Sequence, residues 1–431
     1  MATSAGVLHR RSSHVGLLVL LAVAPLARAQ PTTDERIERL EQRVKELEEQ
    51  QAARPAATGE TEAEPPVKTA TNASVVVSGY VEAFYGWNFN EPSNFITNYR
   101  GFDNRHNIFT IENAVLEVVG TLGPVTTHLA LQWGATPQAY YSAEPVWKAT
   151  RGAGSSGPDV WKYIQQANIG YLVPLGRGLN IEGGIFLSPI GPESIQIKDQ
   201  WNWSRSDLFF GLPYYHTGIR FTYPFTDEWT VSLMGTNGWN SVVDNNVELS
   251  FALQATYTVP ERLTWTTLYF SGVERPQGAP EGRAWRHLFD TYVTFNPNGP
   301  VAFNAHFDGG FEPNNFGTSA WAAGALSVRF HPWQRVYLAA RVDYFYEWIA
   351  QNANGTATPI FWAGSNWIGS ATATVDVRPF KNNISVRLEY RHDQAQKPLF
   401  FQHDVPLDAQ GNYVTNAKHQ DTLTLGAVAW F

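Results

Sequence analysis

The sequence predicts an all-β protein, an antiparallel transmembrane β-barrel of about sixteen strands preceded by a short helix. Three observations lead there. Segments of about 10–14 residues alternate apolar and polar side chains from Ser74 to the C-terminus. Short turns alternate with long loops between them. The chain stops inside such a segment, HQDTLTLGAVAWF, with Leu423, Leu425, Ala427, Ala429 and Phe431 on one parity. An edge strand of that kind is normally blunted or covered, unless it pairs on both sides and its apolar face meets lipid.

Composition narrows the classes. The 431 residues carry 16% charged and 14% aromatic residues, with sixteen Trp, two Met and no Cys. Disulfides and thiolate metal sites are therefore excluded. A net charge of −8 without any basic block argues against a nucleic-acid partner. Mean hydropathy is negative, unlike that of a helical membrane protein.

The N-terminus has an Arg10-Arg11 basic region, an apolar run of twelve from Val15 to Leu26, and Ala27-Arg28-Ala29. That run is too short to span a bilayer. The pattern is a signal peptide over 1–29, cut before Gln30. Residues 30–51 follow as a helix, with Thr32 and Glu35 spaced as a capping box. Ile37, Leu40, Val44 and Leu47 fall at heptad a, d, a, d, and Arg36/Glu41 and Arg43/Glu48 are attractive g–e pairs. A short parallel coiled coil in the periplasm is expected; the other reading is a solvated amphipathic helix. Residues 52–73 are rich in Pro, Ala, Thr and Glu and read as a linker.

The barrel occupies 74–431. Its strands are expected near 75–90, 107–121, 125–136, 161–173, 179–189, 213–224, 228–238, 246–259, 263–274, 286–296, 301–311, 318–331, 335–347, 369–380, 384–393 and 419–431. Fourteen or eighteen strands lie within the uncertainty of the boundaries. In VELSFALQATYTV (247–259) and NISVRLEYRHD (383–393) the charges fall almost wholly on one parity. Aromatics on the other parity gather beside the short turns: Tyr171, Tyr223, Tyr257, Trp265, Phe295, Phe330 and Phe380. Such a belt suits a membrane interface. A soluble sandwich would place its aromatics centrally and use shorter strands.

SGYVEAFYGWNFN (78–90) followed by NRHNIFTIENAVLEV (104–118) resembles the opening of the OmpL-like β-barrel porin family. The G-x-E, N-x-S-R-S and H-T-G-x-R segments within 191–225, GTNGWNSVVDNNVELSF (235–251) and RLEYRHD (387–393) resemble the same family in order. The resemblance implies an outer-membrane porin and no particular solute. Phe431 after an alternating strand is similar to the signal read by barrel-assembly machinery in Gram-negative bacteria. The expected partners are outer-membrane lipid, that machinery and further copies of the chain, with a trimer favoured.

Candidate sites follow from parity. Arg329, Arg341, Arg378, Arg387 and Arg391 face inward on the late strands, beside Asp343, Glu347, Asp376, Glu389 and Asp393. Glu82 and Glu182 face inward on the early strands, with Arg220 after them. These groups either set a transverse field in a water-filled pore or neutralise one another across strands. The third long loop, 190–212, carries Glu193, Lys198, Asp199, Arg205 and Asp207 among Trp201, Trp203, Phe209 and Phe210. It either folds inward as a constriction or caps the outer mouth. Asn304, His306 and Asp308 alternate inward, and His216 lies near Arg220, but no nucleophile accompanies them. No catalytic residue, metal site or cofactor is expected. Passive diffusion of small hydrophilic solutes or ions is the leading function. The runner-up is a structural barrel with a plugged lumen, tethered to periplasmic partners by the helix.

Overall fold

The computed structural model describes Gln42 and residues 73–148, 154–297, 299–361, 366–380 and 383–431. The expected signal peptide, nearly all of the linker, and the coiled coil apart from the helical Gln42 lie outside the described residues.

Sixteen strands form the barrel. They are β1 Ala73–Asn88, β2 Ile108–Leu122, β3 Val125–Trp133, β4 Ile164–Val173, β5 Leu179–Leu187, β6 Tyr215–Pro224, β7 Trp229–Thr236 and β8 Ser250–Val259. They continue with β9 Leu263–Val273, β10 Trp285–Phe295, β11 Val301–Asn314, β12 Gly317–Trp333, β13 Val336–Trp348, β14 Trp367–Val377, β15 Ile384–Ala395 and β16 His419–Trp430. Each pairs antiparallel with its neighbours in sequence, and β1 closes on β16 from Tyr80↔Trp430 to Asn88↔Thr422. The last residue is also bound: the Phe431 N–H donates to the Gly79 carbonyl at 3.0 Å, and the Gly79 N–H donates to the Phe431 carbonyl at 3.3 Å. Closure pairs β1 from Gly79 to Asn88 on both sides, so the barrel has no open sheet edge there.

Alternation assigns the faces. On β8, Phe251 and Leu253 point outward and Ala252 inward. On β15, Val386, Leu388 and Tyr390 point outward, and Arg387, Glu389 and Arg391 inward. The turns 123–124, 174–178, 225–228, 260–262, 296–300, 334–335 and 378–383 share one rim. Gly123, at φ 58°, makes one of the two two-residue bends possible. The opposite rim carries the long loops, except between β11 and β12, where 315–316 suffice. Beside the short turns, Trp229 packs on Tyr257 and Trp265 with ring centroids 5.0 and 6.0 Å apart.

Strict alternation breaks at one place with consequences. The β1–β2 register shifts between Glu82 and Ala83, whose partners are Asn113 and Ile111. The extra residue is Glu112, so Glu112 and Asn113 are both buried inside the barrel.

The interior is not uniformly wet. Towards the short turns, inward side chains of β4–β12 are polar and half-buried, among them Asn168, Asn180, Thr222, Gln254, Thr294 and Asn304. Towards the long loops, the inward positions become apolar and buried: Phe186, Met234, Leu268, Phe270, Leu288, Trp321, Phe345 and Ile368. Leu208 and Leu212 from 188–214, and Leu399 and Phe400 from 396–418, join them in one cluster. Tyr99, Trp239, Ile360 and Phe361 from three further loops pack on it.

The two faces of β8 give a stability test. Leu253→Arg, on the lipid face, should destabilise the barrel by about 2–4 kcal/mol, whereas Gln254→Arg, on the inner face, should cost little. Urea unfolding in lipid vesicles measures both; equal costs would mean that the faces are misassigned.

Candidate functional site

The segment 188–214 between β5 and β6 runs against the inner faces of β1, β2 and β13–β15. It contains a 3-10 turn, Ile197–Asp199, and a helical turn, Asp207–Phe210. The Ser206 hydroxyl caps that turn by accepting from the Phe209 N–H at 3.3 Å. Between these turns the backbone is irregular and buried. It has no strand to pair with, so its polar groups need side-chain partners.

The barrel wall supplies them. Glu82 accepts from the Ile197 N–H at 2.7 Å. Glu389 accepts from the N–H groups of Trp203 and Ser204 at 2.5 and 2.8 Å. Asp343 accepts from the Asp207 N–H at 2.9 Å. The carbonyls meet arginines. Arg387 donates to the Asn202 carbonyl at 2.9 Å, Arg341 to the Ser204 carbonyl at 2.7 Å, and Arg391 to the Arg205 carbonyl. Within the loop, Glu193 accepts from the Ser206 N–H at 3.0 Å and its hydroxyl, and also from Arg341 at 2.9 Å. Acids thus take the amides of 203, 204, 206 and 207, and arginines, Arg205 of the loop among them, take the carbonyls of 202–205.

Side chains reinforce the seam. Glu112 accepts from the Trp203 indole at 2.9 Å and from Arg205 at 3.0 Å. Arg391 donates to Asp207 at 2.7 Å and to Asp393 at 2.6 Å. Asn202 donates to Thr374 at 2.7 Å, and Thr374 donates to Glu389 at 2.7 Å. The Trp203 indole lies on Gly426, where a Cβ would overlap it. In the loop, burial, then the neighbouring Asp343 carboxylate, pushes the Asp207 carboxyl well above its usual range, against the pull of Arg391. Asp103 in the first long loop goes the other way. Burial would raise it, but Arg100 outweighs that and holds it below its usual range.

These contacts correct one expectation. Arg341, Arg387, Arg391, Asp343, Asp376, Glu389 and Glu82 face inward, yet they do not line open water. Each is buried. Asp376 is neutralised by Arg378 and Arg387 of the wall, whereas the other six bond the loop backbone and so serve neither as a free field nor only as mutual neutralisers. Arg205 and Asp207 are likewise buried, and Glu193 is bonded on both oxygens. Glu182 and Arg220 form an ion pair at 2.5 Å on the wetter part of the wall. Lys198 and Asp199 pair at 2.6 Å beside the cavity, with Asp199 exposed. Arg329 and Arg378 are half-buried near the short-turn rim.

A cavity of ≈ 160 Å³, continuous with open solvent, remains between the loop and β10–β12. Its lining is mostly uncharged and polar: Gln200, Asn202, Thr294, Asn304 and Ser327, with Trp201, Pro192, Glu193 and Asp199. Asn304 thus borders open space, but its expected companions do not. His306 is buried and bonds Asp290 at 2.5 Å, and Asp308 accepts from the Trp321 indole at 2.5 Å. His216 is buried between Ser188 and the Gly238 carbonyl, at 3.2 Å from each. Among the described residues, no group of three or more His, Asp and Glu is arranged to hold a metal ion.

Parity reasoning missed Glu112, because a bulge turns it inward. It also missed the apolar long-loop half of the lumen. The signal for the latter was present in Leu268-Tyr269-Phe270 and Tyr344-Phe345-Tyr346, where both parities are apolar.

A closed sixteen-stranded antiparallel barrel with an apolar belt and an internal third loop defines a porin-type channel of the outer membrane. The chain belongs to the family described as "Putative beta-barrel porin-2, OmpL-like", whose model matches residues 74–431, and it resides in the outer membrane of a Gram-negative bacterium. No curated protein matches the sequence. Among solved structures it is similar to the trimer form of OmpT from Vibrio cholerae, with 10% identity, 83% of this chain and 99% of that one covered, and a TM-score of 0.53. The outer membrane channel DcaP of Acinetobacter baumannii gives 11%, 84%, 99% and 0.50, and an anion-selective porin from Comamonas acidovorans 10%, 83%, 100% and 0.50. At such identities the likeness concerns the fold.

The clamp is testable by proteolysis. Glu389→Ala orphans two buried N–H donors, at about 1–3 kcal/mol each. Trypsin should then cut the detergent-solubilised protein after Lys198 or Arg205, sites protected in the wild type. Equal resistance of the two proteins would show that Glu389 does not hold the loop.

Proposed function

We propose that the protein is a passive diffusion channel for small hydrophilic solutes or ions, with segment 188–214 as its constriction. One observation carries this reading: polar, partly accessible side chains cover the inner wall of β4–β12 towards the short turns and converge on the cavity beside that segment. A solute entering from this side meets amides and hydroxyls that can replace its water. Beyond them, the apolar cluster fills the long-loop half of the lumen. Conduction therefore requires the loops to separate, and the conformation described is a closed one. The same cluster favours a second reading, a structural barrel whose plug stays in place.

The short-turn rim is the periplasmic one in this reading. Ile37, Leu40, Val44 and Leu47 would join copies of the chain, and a trimer fits the assembly named for the OmpT structure. Phe431 would serve barrel assembly. Channel function, without catalysis, accounts for the inner wall as it stands.

Single-channel recording in planar bilayers decides between the two readings. The wild type should show steps, and deletion of 197–208 should raise their conductance. A silent wild type whose deletion is also silent, with strand content intact by circular dichroism, would favour the structural plug.

A further inference from the structure

The carboxylates bordering the cavity all have cationic neighbours. Glu193 accepts from Arg341, and Asp199 pairs with Lys198. Just outside the cavity, two residues along β12 from its lining Ser327, stands Arg329. Among the described residues it makes no ion pair; its one hydrogen bond reaches Asn296 at 3.5 Å, the limit of such contacts. Aromatic rings hold it instead. Its guanidinium lies 5.0 Å from the Trp201 ring centroid and 5.4 Å from that of Tyr337. Arg378 lies 4.8 Å from the same Tyr337 ring.

Two guanidinia sharing one phenol ring repel each other, and Arg378 already pairs with Asp376 at 3.1 Å. Stacking leaves the edge of a guanidinium, where its N–H groups lie, free to bind an anion in two-point fashion. Arg329 is thus a fixed cation with unused donors, next to a cavity lined by Thr294, Asn304, Ser327 and Gln200. Trp201 belongs to both, lining the cavity and packing on the guanidinium.

We propose that Arg329 and the adjoining cavity form a binding site for a small hydroxylated organic anion. The carboxylate sits on the free edge of Arg329, with Arg378 adding positive potential. The hydroxylated body enters the cavity, where amides and hydroxyls exchange for its water and the Trp201 indole covers its apolar C–H face. The proposal rests on the diffusion reading for its physiological meaning, but its geometry does not require conduction.

The test is calorimetric titration of the detergent-solubilised full-length protein with sodium gluconate, against glucose as the uncharged comparator, at constant ionic strength. Gluconate should bind at least about tenfold more tightly than glucose, the scale of one charge-assisted contact. Arg329→Gln should bring gluconate down to the level of glucose. Ser327→Phe, which fills the cavity and leaves Arg329 in place, should weaken gluconate by a similar factor. Arg177→Gln, on the β4–β5 turn where Arg177 pairs with Asp227, should change nothing. Equal binding of glucose and gluconate by the wild type, or gluconate binding unaltered in both Arg329→Gln and Ser327→Phe, would overturn the site. Gluconate binding in a protein that never conducts would sink the diffusion reading and leave the site standing. Conduction without gluconate binding would do the reverse.

Discussion

The structure depends on how the backbone of residues 202–207 satisfies its hydrogen bonds. This stretch is buried inside the barrel and belongs to no sheet. An unpaired buried amide or carbonyl costs about as much as the hydrogen bond it lacks. A strand would present a regular ladder to such a segment, but the barrel wall has already spent its ladder on neighbouring strands. Only side chains can reach inward. Carboxylates accept and guanidinia donate, so a backbone with both kinds of group needs both kinds of residue. Alternating acids and arginines on β13–β15, with Glu112 from β2 facing them, meet that need. The near equality of the two charge types on this wall follows from the near equality of N–H and C=O groups on the chain it holds.

The rest of the interior follows from that seam. Once the loop is pinned to one side of the barrel, its helical turn brings Leu208 and Leu212 to the barrel's long-loop half. The inward positions there are apolar because they pack on it. On the opposite wall, towards the short turns, nothing displaces water, and the inward residues stay polar. A large net dipole across the lumen is avoided because each buried guanidinium meets an acid or a carbonyl. Such networks are stable only when nearly complete. The few unpartnered atoms, such as Glu82 Oε2 and Arg387 Nη2, are therefore notable in so dense a cluster.

Most of the barrel was legible in the sequence, because a strand between lipid and interior must alternate. Sixteen segments and their turns could be read from that constraint. Ends were less legible: β8 begins at Ser250, where alternation suggested 246, because Asn246 turns the chain by accepting from the Glu248 N–H and donating to the Val273 carbonyl. The seam was hidden for a different reason. Glu389 and Trp203 lie 186 positions apart, and no local pattern links them. Parity could place Arg387 and Arg391 inside, but not show that a loop backbone would claim them. Glu112 was lost to a bulge that reverses the parity on which the reading relied.

Charge counts on an inner wall therefore say little about selectivity. A pore acts on passing solutes through the charges that its own architecture leaves unused. Here the buried arginines of β13 and β15 are committed to the loop, as are Asp343 and Glu389, while Asp376 and Asp393 are paired with arginines. Glu182 and Arg220 cancel at contact distance. What remains is Arg329, close to the short-turn rim, where aromatic rings rather than a carboxylate hold the cation. A ring holds a guanidinium in place without neutralising it, which a carboxylate cannot do. The exchange of acid for aromatic partners along β12 and β13 marks where a charge stops serving the fold and becomes available to a solute.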